Sequence, residues 1–188
     1  SPEKEEYTID ISTLEKYFTF TDKAEEADVA LVAISNPASG IGYDKNDLAK
    51  GGNGYFPISL QYGDYKADSA RAVSLAGGDP LEKTNNRTYK NKTVKTSNIT
   101  DADLVRNTKK LMGDKPVIVA ISISNPMVFS EIESYCDAIL LDFGVQHQAI
   151  LDIVSGKSEP QAMLPMQMPA NMVAVETQYE DVPFDMNC

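Results

Sequence analysis

The sequence predicts an α/β fold, a three-layer sandwich with a mostly parallel central sheet and helices on both faces. Three observations carry this. Continuous apolar runs of strand length occur at 28–34, 116–123 and 138–143, and such runs fit strands covered on both faces. The first two are each followed by Ser-Asn-Pro, at Ser35-Asn36-Pro37 and Ser124-Asn125-Pro126, where proline ends the ladder. Helix-length segments alternate with the later runs, the order expected of a parallel sheet.

Taken in order, residues 1–27 are polar apart from Ile9, Ile11, Leu14 and Phe18, which fit a docked strand or short helix. The first strand, Asp28 to Ile34, reads as central. Residues 36–63 form a long loop rich in Gly, Asn, Asp and Tyr, with Gly51-Gly52-Asn53-Gly54 at its middle. Ala67, Ala70, Ala72 and Val73 give Asp64 to Leu75 helical character. A second irregular stretch, about 77–98, carries Arg87, Lys90, Lys92 and Lys95. It also holds Asn-x-Thr triplets at Asn86, Asn91 and Asn98, read as loop residues unless the chain passes through a glycosylating secretory route.

A helix follows Thr100, which can cap it; Asp101 and Asp103 suit its N-terminal end, Lys109 and Lys110 its C-terminal end, and Gly113 closes it. After the strand at 116–123, Val128 to Tyr135 is read as a short helix, Ala138 to Phe143 as a third strand, and Gln146 to Val154 as a helix closed by Gly156. Pro160, Pro165, Pro169 and Pro183 predict an extended tail.

Composition narrows the function. Seventeen basic residues against 28 acidic ones give a formal charge of −11. Such a surface repels phosphate backbones and anionic lipid, so nucleic acid is not an expected partner. No apolar run approaches the ~20 residues of a membrane span. One histidine, His147, and two cysteines, Cys136 and Cys188, supply no clustered ligand set. No metal and no cofactor is expected, and Cys136 reads as a buried free thiol. The chain starts at Ser1 without an initiator Met, which fits a processed chain or a piece of a longer one.

The C-terminal third contains a specific series: Cys136-Asp137-Ala138-Ile139-Leu140, Phe143-Gly144, Leu151-Asp152-Ile153-Val154-Ser155-Gly156, Glu159-Pro160-Gln161-Ala162-Met163-Leu164-Pro165, then Met168-Pro169. It resembles the C-terminal domain of glycoside hydrolase family 3, with matching spacing from Gly156 to Pro165. The strand at 115–123, the Asn125-Pro126 turn and the early strand at 27–32 also resemble that family. Two departures stand out. Gln161-Ala162 replaces the family's Ser-Gly, and Gln146 occupies about the place where many members carry a Glu near the active site. Gln cannot donate a proton as a general acid.

The resemblance implies a β-glycosidase of the glucosidase or xylosidase type. In that family the nucleophilic Asp lies on an N-terminal (β/α)8 barrel of ~250 residues, which a chain of 188 cannot contain. Residues 1–188 are then one C-terminal domain that closes the active-site cleft of its parent. Its partners are the barrel of the same parent chain and a carbohydrate. The fragment is expected to be inactive, because retaining hydrolysis needs two carboxyl groups about 5 Å apart. A periplasmic or extracellular location is favoured over a cytoplasmic one.

Parallel strands would bring Asn36, Asn125 and the Phe143–Gln146 turn to one rim, where such sheets bind ligands. Asn36 and Asn125 serve first as chain-turning residues. Gln146 and His147 are candidate substrate-binding residues there, with helix capping or solvent exposure as the alternative. In the loops, Glu82 is the candidate general acid, with Asp79 beside it. Arg87 is a candidate partner for a carboxylate or sugar hydroxyls. Tyr55, Tyr62 and Tyr65 are candidate sugar-stacking faces, or packing residues of the long loop. The competing reading is a stand-alone flavodoxin-like small-molecule module. It calls for a Gly-rich phosphate loop between a strand and a helix, and no G-x-G-x-x-G occurs.

Overall fold

A computed structural model describes residues 11–75, 81, 84–179 and 185–188. Its elements, in chain order, are α1 (Ile11–Leu14), β1 (Ala30–Ser35), α2 (Lys45–Ala49), β2 (Tyr65–Lys66), β3 (Thr93–Val94), α3 (Ile99–Met112), β4 (Val117–Ser122), a 3-10 turn (Glu133–Tyr135), β5 (Ala138–Asp142), α4 (His147–Val154) and α5 (Met172–Thr177). The chain forms two compact units. The first comprises Ser1–Asn36, Thr100–Pro126 and Ser130–Gln167; the second comprises Pro37–Ile99, Met127–Phe129 and Met168–Cys188.

The first unit has the predicted α/β sandwich character: a parallel sheet in the order β1-β4-β5, with helices. Ala30 pairs with Val117 and Ser35 with Ser122; Ile118 pairs with Ala138 and Ser122 with Asp142. Parallel neighbours need a long crossover, which α3 supplies between β1 and β4. The central place belongs to β4, whose Val117, Val119, Ala120 and Ile121 are fully buried. The sequence placed β1 centrally as well, but among the described residues it is an edge strand, buried mainly at Val32 and Ile34. An apolar run reports burial of its side chains, not which strand occupies the middle.

Helix α3 begins at Ile99, so Thr100 is its second residue rather than its cap. Its Asp101 carboxylate accepts from the Ser35 N–H at 3.3 Å, which ties the helix start to the end of β1. Gly113 takes φ 60 and closes the helix, its N–H bonding the Lys109 carbonyl. At the other end of the sheet, the Asp137 carboxylate accepts from the Val117 N–H at 2.8 Å and from Lys109 Nζ at 3.0 Å. That backbone bond first, and Lys109 second, hold the Asp137 carboxyl below its ordinary range. Cys136 is half-buried rather than buried, and burial pushes its thiol up.

The second unit packs around Tyr65, Ala67, Ala70, Val128 and Met172, with Leu60, Tyr89, Val94 and Val175 against them. Asp64 to Leu75, expected to be helical, is not. Tyr65–Lys66 pairs antiparallel with Thr93–Val94, and the Ala67 N–H continues to the Lys92 carbonyl. Beyond it, the Asn86 side chain accepts from the Ser74 N–H and donates to the Ala72 carbonyl. Backbone groups that a helix would satisfy internally are met by another segment. Val128–Tyr135 likewise shortens to the turn at Glu133–Tyr135, and the Val128 N–H bonds the Leu60 carbonyl. The loop 36–63 contains α2, and the tail contains α5, whose N-cap Asn171 accepts from the Ala174 N–H at 2.9 Å.

One stability contrast follows for the first unit. Ile121→Ala, in the centre of β4, is expected to cost about 3 kcal/mol in urea unfolding. Leu164→Ala, at a half-exposed site in the same unit, is expected to stay within about 0.5 kcal/mol. Equal effects of the two would overturn the assignment of the core.

Candidate functional site

The register Ser35↔Ser122↔Asp142 brings three strand ends to one rim of the first unit. Asn36 donates through Nδ2 to Asn125 Oδ1 at 2.8 Å, and its Oδ1 accepts from the Ser124 N–H at 3.1 Å. Asn125 Nδ2 donates to the Pro126 carbonyl at 2.9 Å. Both asparagines therefore turn the chain. Asp142 is buried, and its Oδ1 accepts from the N–H groups of Gly144 and Val145, both at 2.7 Å. This acceptor shapes the turn into α4 and was not singled out from sequence. An Asp two residues before a turn glycine is the local signal for it.

Gln146 is the exposed N-cap of α4, and its side chain makes no capping bond. His147 beside it is half-buried. With Thr13, Val145 and Gln148 they line a shallow depression of about 360 Å³. The amide and imidazole can offer hydrogen bonds to a polar ligand there.

The second unit brings Tyr55 and Arg87 together. The Arg87 guanidinium lies 5.8 Å from the Tyr55 ring centroid, a cation–π distance. Tyr55 also meets Tyr43 edge-on, at 5.4 Å between centroids. The two tyrosines face each other across an antiparallel bridge closed by Asp44 N–H to Gly54 O and Phe56 N–H to Gly42 O. Gly54 is required here: it takes φ 80, and a Cβ would lie 2.6 Å from the Tyr43 ring.

Tyr62 and Tyr65 are buried, so packing is their role. The Tyr65 hydroxyl donates to Glu176 Oε1 at 2.7 Å, and Tyr89 donates to Oε2 at 3.1 Å. Burial, and then the Glu176 carboxylate, push the Tyr65 phenol up. Glu176, Tyr89, Arg71, Arg87, Ser74 and Gln178 line a cleft of about 270 Å³. Arg71 donates to the Gln178 carbonyl at 2.8 Å. The cleft combines a carboxylate, two guanidinium groups and the phenol of Tyr89, a set suited to a polyhydroxylated ligand. Tyr43, Arg71, Tyr89 and Glu176 were not picked out from sequence, because they converge from segments far apart in the chain. Asp79 and Glu82 lie outside the described residues.

The sequons are loop residues with different duties. Asn98 is buried and its Oδ1 accepts from the Ala38 N–H at 2.9 Å. Asn86 bridges two segments, as above. Asn91 is exposed at φ 65, in the turn before β3.

The Gly51–Gly54 loop wraps Asp47. Asp47 Oδ2 accepts from the Gly54 N–H and from Lys92 Nζ, both at 2.8 Å. Lys92 first, then that backbone bond, hold the Asp47 carboxyl below its ordinary range. A carboxyl depressed in the fold stabilises it above its unfolded pKa, and this is lost as the pH falls through the folded value. Thermal stability is expected to decline as the pH drops below the ordinary 3.8. Asp47→Asn should flatten part of that decline. An unchanged acid profile in the variant would show that Asp47 does not contribute.

Among the described residues no helix is long and apolar enough to cross a membrane. No family model and no solved structure matches the chain. Curated proteins do. Beta-glucosidase C of Emericella nidulans is 41% identical over 76 residues, and Probable beta-glucosidase C of Aspergillus oryzae is 42% identical over 76 residues. Each match covers 40% of this chain and only 12% of the relative. The Periplasmic beta-glucosidase/beta-xylosidase of Dickeya chrysanthemi is 27% identical over 70 residues, covering 37% of this chain and 11% of that protein.

Proposed function

Because the chain carries a region related to the β-glucosidases of glycoside hydrolase family 3, we propose that it is the C-terminal domain of a β-glycosidase that releases terminal β-linked glucose or xylose. The similarity to Beta-glucosidase C, 41% over 76 residues, is the observation that carries this reading. A match covering so small a share of each relative supports the view that the catalytic unit includes a further domain. A (β/α)8 barrel of the same parent chain would supply the nucleophilic carboxylate, and this domain would close the cleft. The periplasmic relative supports work outside the cytoplasm. The relatives do not favour the stand-alone small-molecule module.

On this reading, Tyr55 and Arg87 are the sugar-facing candidates of the second unit, and, taken separately, Gln146 and His147 are those of the first. The tyrosine ring offers an apolar face to sugar C–H groups, while the guanidinium, amide and imidazole bond hydroxyls. Glu82 remains the proposed general acid, protonating the leaving oxygen while the barrel carboxylate attacks.

Residues 1–188 alone are expected to show no hydrolysis of aryl β-glucosides or β-xylosides above background, while the parent chain turns them over. Robust activity of the purified fragment, surviving Glu82→Gln, would overturn the proposal. In the parent, Glu82→Gln is expected to slow substrates with poor leaving groups far more than those with good ones. Equal slowing of both classes, or of neither, would remove Glu82 from the acid role.

A further inference from the structure

In the sequence Lys92 is one charge of a basic loop. In the structure its ammonium sits at a junction. Nζ donates to Asp47 Oδ2 and to Asn53 Oδ1, each at 2.8 Å, and lies 4.5 Å from the Phe56 ring centroid. The Lys92 and Asp47 side chains are 23% and 24% exposed, so this pair is less screened than a surface one. Each partner then passes the constraint on. Asp47 holds the Gly54 N–H. Asn53 Oδ1 accepts from the Tyr55 N–H at 3.1 Å, and its Nδ2 donates to the Asn86 and Thr88 carbonyls at 3.1 and 2.6 Å. Those two carbonyls flank Arg87.

One ammonium thus fixes the backbone on both sides of the Tyr55–Arg87 contact. Gly52 fits this account, because a Cβ there would run into the Asp47 carboxylate. The geometry points to Lys92, acting through Asp47 and Asn53, as a positioning residue that sets Tyr55 and Arg87 against each other. This rests on the sugar-facing role proposed above for that pair. Lys92 acts through these two neighbours, Asp47 and Asn53. Lysine suits the place because its three donors radiate from one point. Lys92→Met keeps the stem and removes all three.

The test uses isotope-labelled residues 1–188 with cellobiose as the probe. In the unaltered chain the Arg87 Nε–H resonance is expected to carry an upfield ring-current shift from Tyr55. Lys92→Met should lose that shift and bind cellobiose about tenfold more weakly, the scale of one lost charge-assisted hydrogen bond. The amides of β4 and α3 should stay in place, and Lys92→Arg should retain most of both effects. Retention of the Arg87 shift in Lys92→Met would overturn the positioning role. If Lys92→Met unfolds the second unit, Asp47→Asn takes its place; it keeps an acceptor for Gly54 and gives up the ion pair. An unaltered chain that shows the Arg87 shift yet does not bind cellobiose refutes the sugar reading, and the ring-current comparison still decides the positioning.

Discussion

Parallel pairing imposes a constraint that the rest of this structure answers to. Two parallel neighbours cannot be joined by a tight turn, so the chain must travel the length of the sheet between them. Between β1 and β4 it does so through α3. It also makes a long excursion at the top of β1, from Pro37 to Ile99, and that excursion belongs to the second unit. The Ser35 N–H to Asp101 bond marks the place where the chain returns. The same constraint aligns Ser35, Ser122 and Asp142. Backbone bonds from Asn36 N–H to Ser122 O and from Ile123 N–H to Asp142 O end the ladder, and side-chain amides and a carboxylate then shape the turns.

The second unit has little regular ladder to rely on: β2 and β3 are two residues each. Its order comes from side chains that stand in for backbone partners. Asn86, Asn53, Asn98 and Asp47 each satisfy backbone groups of a different segment. Polar side chains that are fully bonded specify one arrangement of a loop much as packing specifies a core. The tyrosines Tyr65 and Tyr89 extend this by meeting on Glu176.

The parallel sheet was legible in the sequence, because β-branched runs and the Ser-Asn-Pro endings are local signals. So was α3, through its acidic start, basic end and closing Gly113, and so was α4, through its closing Gly156. Asp64 to Leu75 misled, because Ala67 and Ala70 are buried at a helical spacing while the backbone bonds elsewhere. Helix α5 was hidden by Pro169, although Asn171 ahead of an apolar run is a fair N-cap signal. Of the candidate site, Gln146, His147, Tyr55 and Arg87 were named from their residue types and loop positions. The supports of Tyr55 and Arg87 were not, since Lys92 and Asp47 gain meaning only from a contact across tens of residues.

The β1–β4 ladder has a kinetic side. Ala30 and Val117 are roughly ninety residues apart, whereas β4 and β5 lie about twenty apart. Closing the longer loop costs more chain entropy before any contact repays it. Loop closure therefore favours pairing of β4 with β5 before β1 is added. On a ribosome, β1 emerges first yet waits, apolar and unpaired, until β4 follows. The strand whose end opens the long excursion is thus the one most exposed to wrong partners while the chain is being made.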